Sequence, residues 1–242
     1  MRVKGIVSYD GSNYHGFQKQ INEKTIQGEI EGVLSKILNR PVNIFGSGRT
    51  DAKVHALNQV FHFDLIEERD LNKLHHSLNK LLPEDIYIKS LEVVNDDFHA
   101  RFSVLKKHYT YKVSLQRNPF LINYSLLWLK SIDEKKLIDS MNLFLGEHNF
   151  WYFCANKEED EYVKTIYEFR YRFEDNQLIF DIVGNGFKRY MVRMIVGTIL
   201  AYMDNQINLD YIVDRLNVKA GLQTTSYNAE HQGLYLTEVI YD

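Results

Sequence analysis

Gly46-Ser-Gly-Arg-Thr-Asp-Ala-Lys-Val-His-Ala56 is the stretch from which the fold and the chemistry of this chain can best be worked out. It lies between two apolar runs, 42–45 and 60–63, which predict a strand on either side. A polar loop with Arg49 and Asp51 at its centre therefore joins two strands. Taken alone, the loop is typical of a solvated turn with a local Arg49–Asp51 ion pair, which contributes little energy.

The composition is that of a globular protein and excludes several classes. The chain has 242 residues, of which 45% are hydrophobic, enough for one large domain or two of about 120 residues each. No apolar run approaches the roughly 20 residues of a membrane span, and the first residues enter a strand pattern without a signal peptide. A single cysteine, Cys154, excludes an internal disulfide and a cysteine metal cluster. We expect a cytoplasmic protein.

The basic residues are distributed unevenly along the chain. The net charge of −3 argues mildly against a nucleic-acid partner. However, residues 98–132 and 182–203 contain no Asp or Glu. Their basic residues are Arg101, Lys106, Lys107, Lys112, Arg117, Lys130, Lys188, Arg189 and Arg193. Such segregation is compatible with a polyanion bound to one face.

Hydrophobic periodicity predicts the order β-α-β-β-α-β for the first half of the chain. Thr25 and Asp70 are suited to cap two helices, which end before Pro41 and Pro83. The predicted strands are residues 4–9, 42–45, 58–64 and 86–94. This order is the split βαβ unit of ferredoxin-like folds.

The second half repeats this theme. Strands are predicted at 108–115, 125–129, 164–173, 177–183 and 234–241, and helices at 134–145, 187–203 and 209–216. We therefore predict an α+β fold of two ferredoxin-like-derived halves, residues 1–104 and 105–242, in a duplicated arrangement. The sheets should be mixed but mostly antiparallel, with helices on one face and a cleft between the halves.

Two features of the second half suggest a site. The 187–203 helix is apolar nearly all round, so Arg193 within it either meets an anion or extends to the surface along its aliphatic stem. Tyr109 and Tyr111 lie on one face of the predicted 108–115 strand, and the basic residues Lys106 and Lys107 come directly before that strand. Such tyrosines often fill a core, but aromatic residues beside cations also stack on nucleic-acid bases. The histidines lack metal-ligand spacing, so we predict no metal site.

Together, these segments resemble the TruA family of tRNA pseudouridine synthases. The loop 48–56 resembles that family's Gly-Arg-Thr-Asp-Ala-Gly-Val-His-Ala signature, and other motifs agree in order along the whole chain. They are Tyr9-Asp-Gly-Ser-Asn-Tyr-His-Gly-Phe-Gln18, Thr25-Ile-Gln-Gly-Glu29, Phe98-His-Ala-Arg-Phe102, Tyr109-Thr-Tyr111, Gly184-Asn-Gly-Phe187, Met191-Val-Arg-Met-Ile-Val-Gly197 and Gly233-Leu-Tyr-Leu236.

The resemblance implies a role for each site residue. Asp51 would be the catalytic nucleophile, Arg193 would pair with it and keep it ionised, and Arg49 would hold the place of the displaced nucleotide. Tyr109 would stack on the flipped uracil and help the proton leave C5. The further expected substrate contacts are Lys53, His55, Arg101, Lys106 and Lys107.

The implied reaction is the isomerisation of uridine to pseudouridine in the tRNA anticodon stem-loop, at positions 38, 39 and 40. It needs no cofactor or metal, and attack on the sugar and assisted elimination both remain open. The resemblance also implies a homodimer whose tRNA touches both subunits. The alternatives are the same chemistry on another structured RNA such as ribosomal RNA, a non-catalytic RNA-binding protein, and, more remotely, a metal-dependent hydrolase built on Asp51 and His55.

The sequence departs from the family pattern at four places. A divergent paralogue with departures of this kind could bind a different RNA or modify different uridines. Lys53 stands where the family has glycine, and it would be strained if that position needs a positive φ. Asn149 stands where the family often has Asp, and Phe17 replaces a usual Trp. Glu230-His231 replaces a Pro-Ala-like pair.

Overall fold

A computed structural model describes residues 1–155 and 162–241 of the chain. These residues form two compact units. Unit 1 comprises Met1–Leu105 together with Tyr235–Asp242, and unit 2 comprises Lys106–Leu234. Within the described residues, no helix is both long enough and apolar enough to cross a membrane.

The described residues contain ten strands and five α-helices. The strands are β1 (Arg2–Tyr9), β2 (Phe45–Gly46), β3 (His55–Asp64), β4 (Ile86–Val94), β5 (Lys106–Ser114), β6 (Leu126–Leu127), β7 (Gly146–Asn149), β8 (Val163–Glu174), β9 (Gln177–Gly184) and β10 (Leu234–Ile240). The helices are α1 (Ile26–Leu38), α2 (Leu71–Leu81), α3 (Glu134–Asn142), α4 (Met191–Met203) and α5 (Leu209–Leu216). The predicted α+β class with mostly antiparallel strands is confirmed.

The sheet of unit 1 runs in the order β4-β1-β3-β10, with β2 paired to β3. Strand β1 pairs antiparallel with both β3 and β4, whereas β10 pairs parallel with β3. The register between β1 and β3 shifts after Val7, so that Tyr9 lies opposite Ala56 rather than one residue later. Such a bulge re-aims the side chains that follow it, here at the end of β1 that adjoins the central loop.

The two helices of unit 1 begin at the predicted caps. Thr25 Oγ1 accepts a hydrogen bond from Gly28 N at 3.3 Å, and Asp70 Oδ1 accepts from Asn72 N and Lys73 N. Both caps satisfy backbone N–H groups that the first helical turn leaves without partners. The prediction of both helix starts is confirmed.

The sheet of unit 2 runs in the order β5-β9-β8-β7, with the short strand β6 parallel to β5. Strands β5 and β9 are antiparallel neighbours, which places Tyr109 opposite Ile182 and Tyr111 opposite Phe180. Helix α4 is buried over most of its surface, as the apolar pattern predicted, and it packs against α3.

Two helix boundaries in unit 2 were predicted wrongly. Helix α3 ends at Asn142 rather than 145, and Gly146 has φ +92 and begins strand β7, which was not predicted. Helix α4 starts at Met191 rather than 187, because Tyr190 has a φ of +65. A right-handed helix cannot contain these conformations.

The last strand belongs with the N-terminal residues. The predicted division into 1–104 and 105–242 assigned it to the C-terminal half, but the compact units assign Tyr235 onward to unit 1. The reason is its parallel pairing with β3, in which Tyr235 lies opposite His55 and Leu236 opposite Ala56. No local pattern in the sequence specifies a pairing between residues so far apart.

Candidate active site

The start of the central loop is fixed to strand β3. Ser47 N donates to Val60 O at 2.7 Å, and its hydroxyl donates to Gln59 Oε1 at 2.5 Å. The Gln59 amide then donates to Gly48 O at 3.1 Å. Both Ser47 and Gln59 are buried. These bonds hold the backbone immediately before Arg49 and Asp51.

The N-terminal motif 9–18 supports the other side of the loop. Phe17 N donates to Thr50 O at 3.2 Å, and Lys53 N donates to Tyr14 O at 3.0 Å. Gly16 has φ +92, and a Cβ atom at this position would lie only 2.6 Å from Thr50 O. Glycine is therefore required here both by conformation and by space.

A buried hydroxyl pair positions the residue before Asp51. Tyr9 Oη lies 2.8 Å from Thr50 Oγ1, and either atom can be the donor. Burial raises the pKa of Tyr9, so this hydroxyl stays protonated. With Thr50 directed inward, Asp51 is left half-buried, and Val54 N donates to Asp51 O at 3.2 Å to close a tight turn. The carboxylate thus stands on a backbone fixed from three sides.

Lys53 has the left-handed backbone conformation that its place in the motif suggested. Its φ is +62, and its side chain is exposed. A left-handed conformation costs a residue with a Cβ atom about 1–2 kcal/mol. The chain therefore carries a strained cation two residues after Asp51, where glycine would adopt this conformation freely.

His55 is a core residue of unit 1. Its side chain is 2% exposed, its Nδ1 lies 3.2 Å from Gly11 N and 3.1 Å from Asp10 Oδ1, and its ring stacks on Tyr235 at 4.7 Å. A ring with so little accessible surface offers no face to a substrate. We therefore remove His55 from the predicted substrate contacts; it holds the end of the loop from within.

Tyr109 projects from β5 against the segment that leads to α4. Its side chain is 8% exposed, and its ring meets the Phe187 ring edge-to-face at a centroid distance of 5.3 Å. Two residues along the strand, the Tyr111 hydroxyl donates to Glu230 O at 2.6 Å. Both tyrosines thus have specific neighbours within unit 2.

Arg193 is half-buried and bound to backbone. Its Nε donates to Ala229 O at 2.7 Å, and Ala229 N donates to Arg193 O at 3.0 Å. The next carbonyl group, that of Glu230, accepts from Tyr111. Strand β5 and helix α4 are therefore both bonded to the segment 229–230. Gly197 permits this approach, since a Cβ there would lie 2.8 Å from Ala229 N.

Tyr190 is the residue of this region that the sequence analysis missed. It precedes α4 with φ +65 and has no side-chain capping bond, and its ring centroid lies 4.8 Å from Arg193 Cζ. The left-handed conformation again costs about 1–2 kcal/mol. Nothing in the sequence signals that conformation, but the three-residue spacing to Arg193 is one at which side chains meet in helices.

The remaining predicted contacts are surface cations beside aromatic rings. Arg101 is exposed, with its Cζ 5.8 Å from the Phe102 ring, and Lys106 is exposed, with its Nζ 5.0 Å from the Tyr167 ring. Arg49 is exposed and Lys107 half-buried. Unit 1 therefore holds Arg49, Asp51 and Lys53 on one loop. In unit 2, Tyr109 packs against Phe187, and Arg193 is bonded to Ala229.

Two of the departures from the family pattern preserve local structure. Asn149 Oδ1 accepts from Trp151 N at 2.9 Å, a local turn bond that an aspartate would also make. Phe17 packs against Gly46, where a Cβ would come within 2.4 Å of its ring. Both side chains therefore have specific local contacts in this chain.

Comparison with known proteins identifies the family of this chain. The sequence model of a family described as tRNA pseudouridine synthase matches residues 6–103 and 141–242. Proteins named tRNA pseudouridine synthase A are similar over their full length. Those of Exiguobacterium sp. and Geobacillus sp. are 38% and 39% identical over 100% of this chain and 98% of their own. That of Dictyoglomus turgidum is 41% identical over 97% of both chains. The chain belongs to the tRNA pseudouridine synthase family.

Proposed function

We propose that this protein isomerises uridine to pseudouridine in the anticodon stem-loop of tRNA, at positions 38, 39 and 40, with Asp51 as the nucleophile. The observation that carries the proposal is the placement of Asp51 on a loop of the family's signature, with its backbone bonded to β3 and to the 9–18 segment. Pre-organisation of this kind keeps a reacting group in position without reordering during the reaction.

The proposed reaction is balanced without any co-reactant. The bond between C1′ and N1 of the uridine breaks, the uracil turns, and a bond forms between C1′ and C5. C5 loses its proton and N1 gains one, so the product is an isomer of the substrate. The Asp51 carboxylate either attacks the sugar or assists elimination while the base reorients. The base must leave its stack for this to occur.

The other site residues divide into three roles. Arg193 would form an ion pair with the Asp51 carboxylate, because burying a guanidinium is costly unless an anion meets it. Such a pair would also keep the carboxylate ionised. Tyr109 would stack on the uracil and assist loss of the C5 proton. Arg49 and Lys53 on the exposed part of the loop, with Arg101, Lys106 and Lys107, would contact the RNA.

The protein would act in the cytoplasm as a homodimer whose tRNA contacts both subunits. The family resemblance supports this proposal. Light scattering of the purified protein measures its mass in solution, and a mass of one chain at micromolar concentration would contradict the dimer.

The test of the reaction is release of tritium from RNA labelled at uridine C5. We expect release from tRNA transcripts at about one tritium per modified uridine, and none from transcripts in which the stem-loop uridines are replaced by cytidine. Ribosomal RNA is the parallel substrate. Tritium release from ribosomal RNA alone would indicate that ribosomal RNA is the substrate. Binding to either RNA without release would favour a non-catalytic RNA-binding protein.

A further inference from the structure

We propose that Tyr190 is a positioning residue that sets the direction of the Arg193 guanidinium, and that its left-handed backbone serves this purpose. The inference rests on the proposed function of Arg193. It assigns a role to a residue outside the family's signature loop. Three sets of contacts within unit 2 support it.

The backbone of Tyr190 is held in its strained conformation by its neighbours. Met191 N donates to Lys188 O at 3.0 Å, and Met194 N donates to Tyr190 O at 2.8 Å as the first bond of helix α4. Met191 itself is 0% exposed. A turn on one side and a buried helix start on the other leave Tyr190 at φ +65 and ψ 0. Strain of this kind persists only where the surrounding structure over-determines it, and it is concentrated at functional sites.

Two guanidinium groups lie near the ring of Tyr190. Arg193 Cζ is 4.8 Å and Arg189 Cζ is 5.0 Å from the ring centroid. Arg189 also donates from Nη2 to the Tyr190 hydroxyl at 3.3 Å. Cations near an aromatic ring are attracted by the ring's quadrupole. The left-handed backbone is therefore what directs the ring toward Arg193.

The Ala229 carbonyl and the Tyr190 ring restrict Arg193 in different ways. A hydrogen bond from Nε to Ala229 O fixes one edge of the guanidinium but permits rotation about that bond. Contact with the Tyr190 ring opposes this rotation. Together they determine where Nη1 and Nη2 point, and these are the nitrogens that would bind the Asp51 carboxylate.

Three variants separate the ring from the backbone strain. Tyr190→Phe keeps both the ring and the strain. Tyr190→Leu keeps the strain and loses the ring. Tyr190→Asn loses the ring but has a side chain that tolerates the left-handed region. Each is assayed for kcat by tritium release at saturating tRNA, for tRNA Kd by filter binding, and for Tm.

We expect Tyr190→Phe to retain kcat within about twofold, and both Tyr190→Leu and Tyr190→Asn to lose about tenfold in kcat with Kd unchanged. Tyr190→Asn should nevertheless keep the Tm of the parent protein or exceed it, which a purely structural role for the ring would not produce. Full kcat in Tyr190→Leu and Tyr190→Asn would overturn the inference, and so would a loss of kcat that follows Tm. A parent protein that releases no tritium would overturn the proposed function instead.

Discussion

The hydroxyl of Tyr9 lies 2.8 Å from Oγ1 of Thr50, and both side chains are buried. Tyr9 ends strand β1, immediately after the register shift against β3, and Thr50 directly precedes Asp51. One buried hydrogen bond therefore connects the end of strand β1 to the loop that carries Asp51. The placement of Asp51 depends on a residue about forty positions away as well as on the loop itself.

Tyr9→Phe removes this hydrogen bond and keeps the ring. Thr50 Oγ1 then remains buried but lacks this hydrogen bond. We expect the free energy of unfolding to fall by about 1–2 kcal/mol. The kcat for tritium release should fall more than tRNA affinity, because the loop backbone beside Asp51 is less restrained. Urea unfolding and the tritium assay measure the two effects. Tyr87→Phe, at an exposed position, is the control, and equal kcat in both variants would contradict this role.

Gly16→Ala is predicted to displace the loop from the other side. The added methyl group would lie 2.6 Å from Thr50 O at a position with φ +92, so the backbone at both places must move. We expect a loss of stability of at least 1 kcal/mol and a larger loss of kcat than in Tyr9→Phe. Gly32→Ala in helix α1 is the matched control, because no atom lies within 4 Å of its added Cβ. The control should gain about 0.5–1 kcal/mol.

Lys53→Gly separates the strain at this position from its charge. Glycine adopts the left-handed conformation without strain, but it makes the unfolded chain more flexible. We therefore expect a net gain of up to about 1 kcal/mol in stability. If Lys53 binds a phosphate, tRNA binding by the variant should be less sensitive to salt. The slope of log association constant against log salt concentration should become less negative by about 1. Lys53→Asn, which also tolerates positive φ, should change the slope in the same way. An unchanged slope in both variants would remove Lys53 from the RNA contacts.

His62 makes the stability of unit 1 sensitive to acid. Burial, with the nearby His99 and Arg2, lowers the pKa of His62 from 6.5 to about 4. Between those values the unfolded chain binds a proton that the folded chain does not, so stability is complete above pH 6.5 and decreases as the pH falls toward 4. The loss attributable to His62 is of order 2–3 kcal/mol.

The test compares urea unfolding of the parent protein and His62→Gln at several pH values between 4 and 7. The variant should show a smaller loss of stability across this interval, whatever its stability at pH 7. The exposed His76→Gln is the control. Parallel curves for parent and His62→Gln would show that another group titrates.

Local chemistry in the sequence predicted much of the secondary structure. Thr25 and Asp70 are capping residues followed by apolar residues at helical spacing, and both helices begin where expected. The alternating pattern of residues 108–115 corresponds to β5, and helix α5 spans the predicted residues. These features depend on contacts between residues close in sequence.

Features that depend on distant contacts were not predictable. The left-handed backbone of Tyr190 immediately precedes α4 and the buried Met191, and no local pattern in the sequence signals it. The parallel pairing of β10 with β3 joins residues at opposite ends of the chain. Likewise, the motif around Asp51 suggested His55 as a substrate contact, whereas its stacking on Tyr235 makes it a core residue.

The most direct test of the account is Asp51→Asn, assayed for tritium release and for tRNA binding. The substitution keeps the size and shape of the side chain and removes its charge and nucleophilicity. We predict no detectable release with tRNA Kd within about threefold of the parent. The exposed Asp97→Asn is the matched control and should retain full release. Turnover by Asp51→Asn at a rate near that of the control would contradict the assignment of Asp51 as the nucleophile.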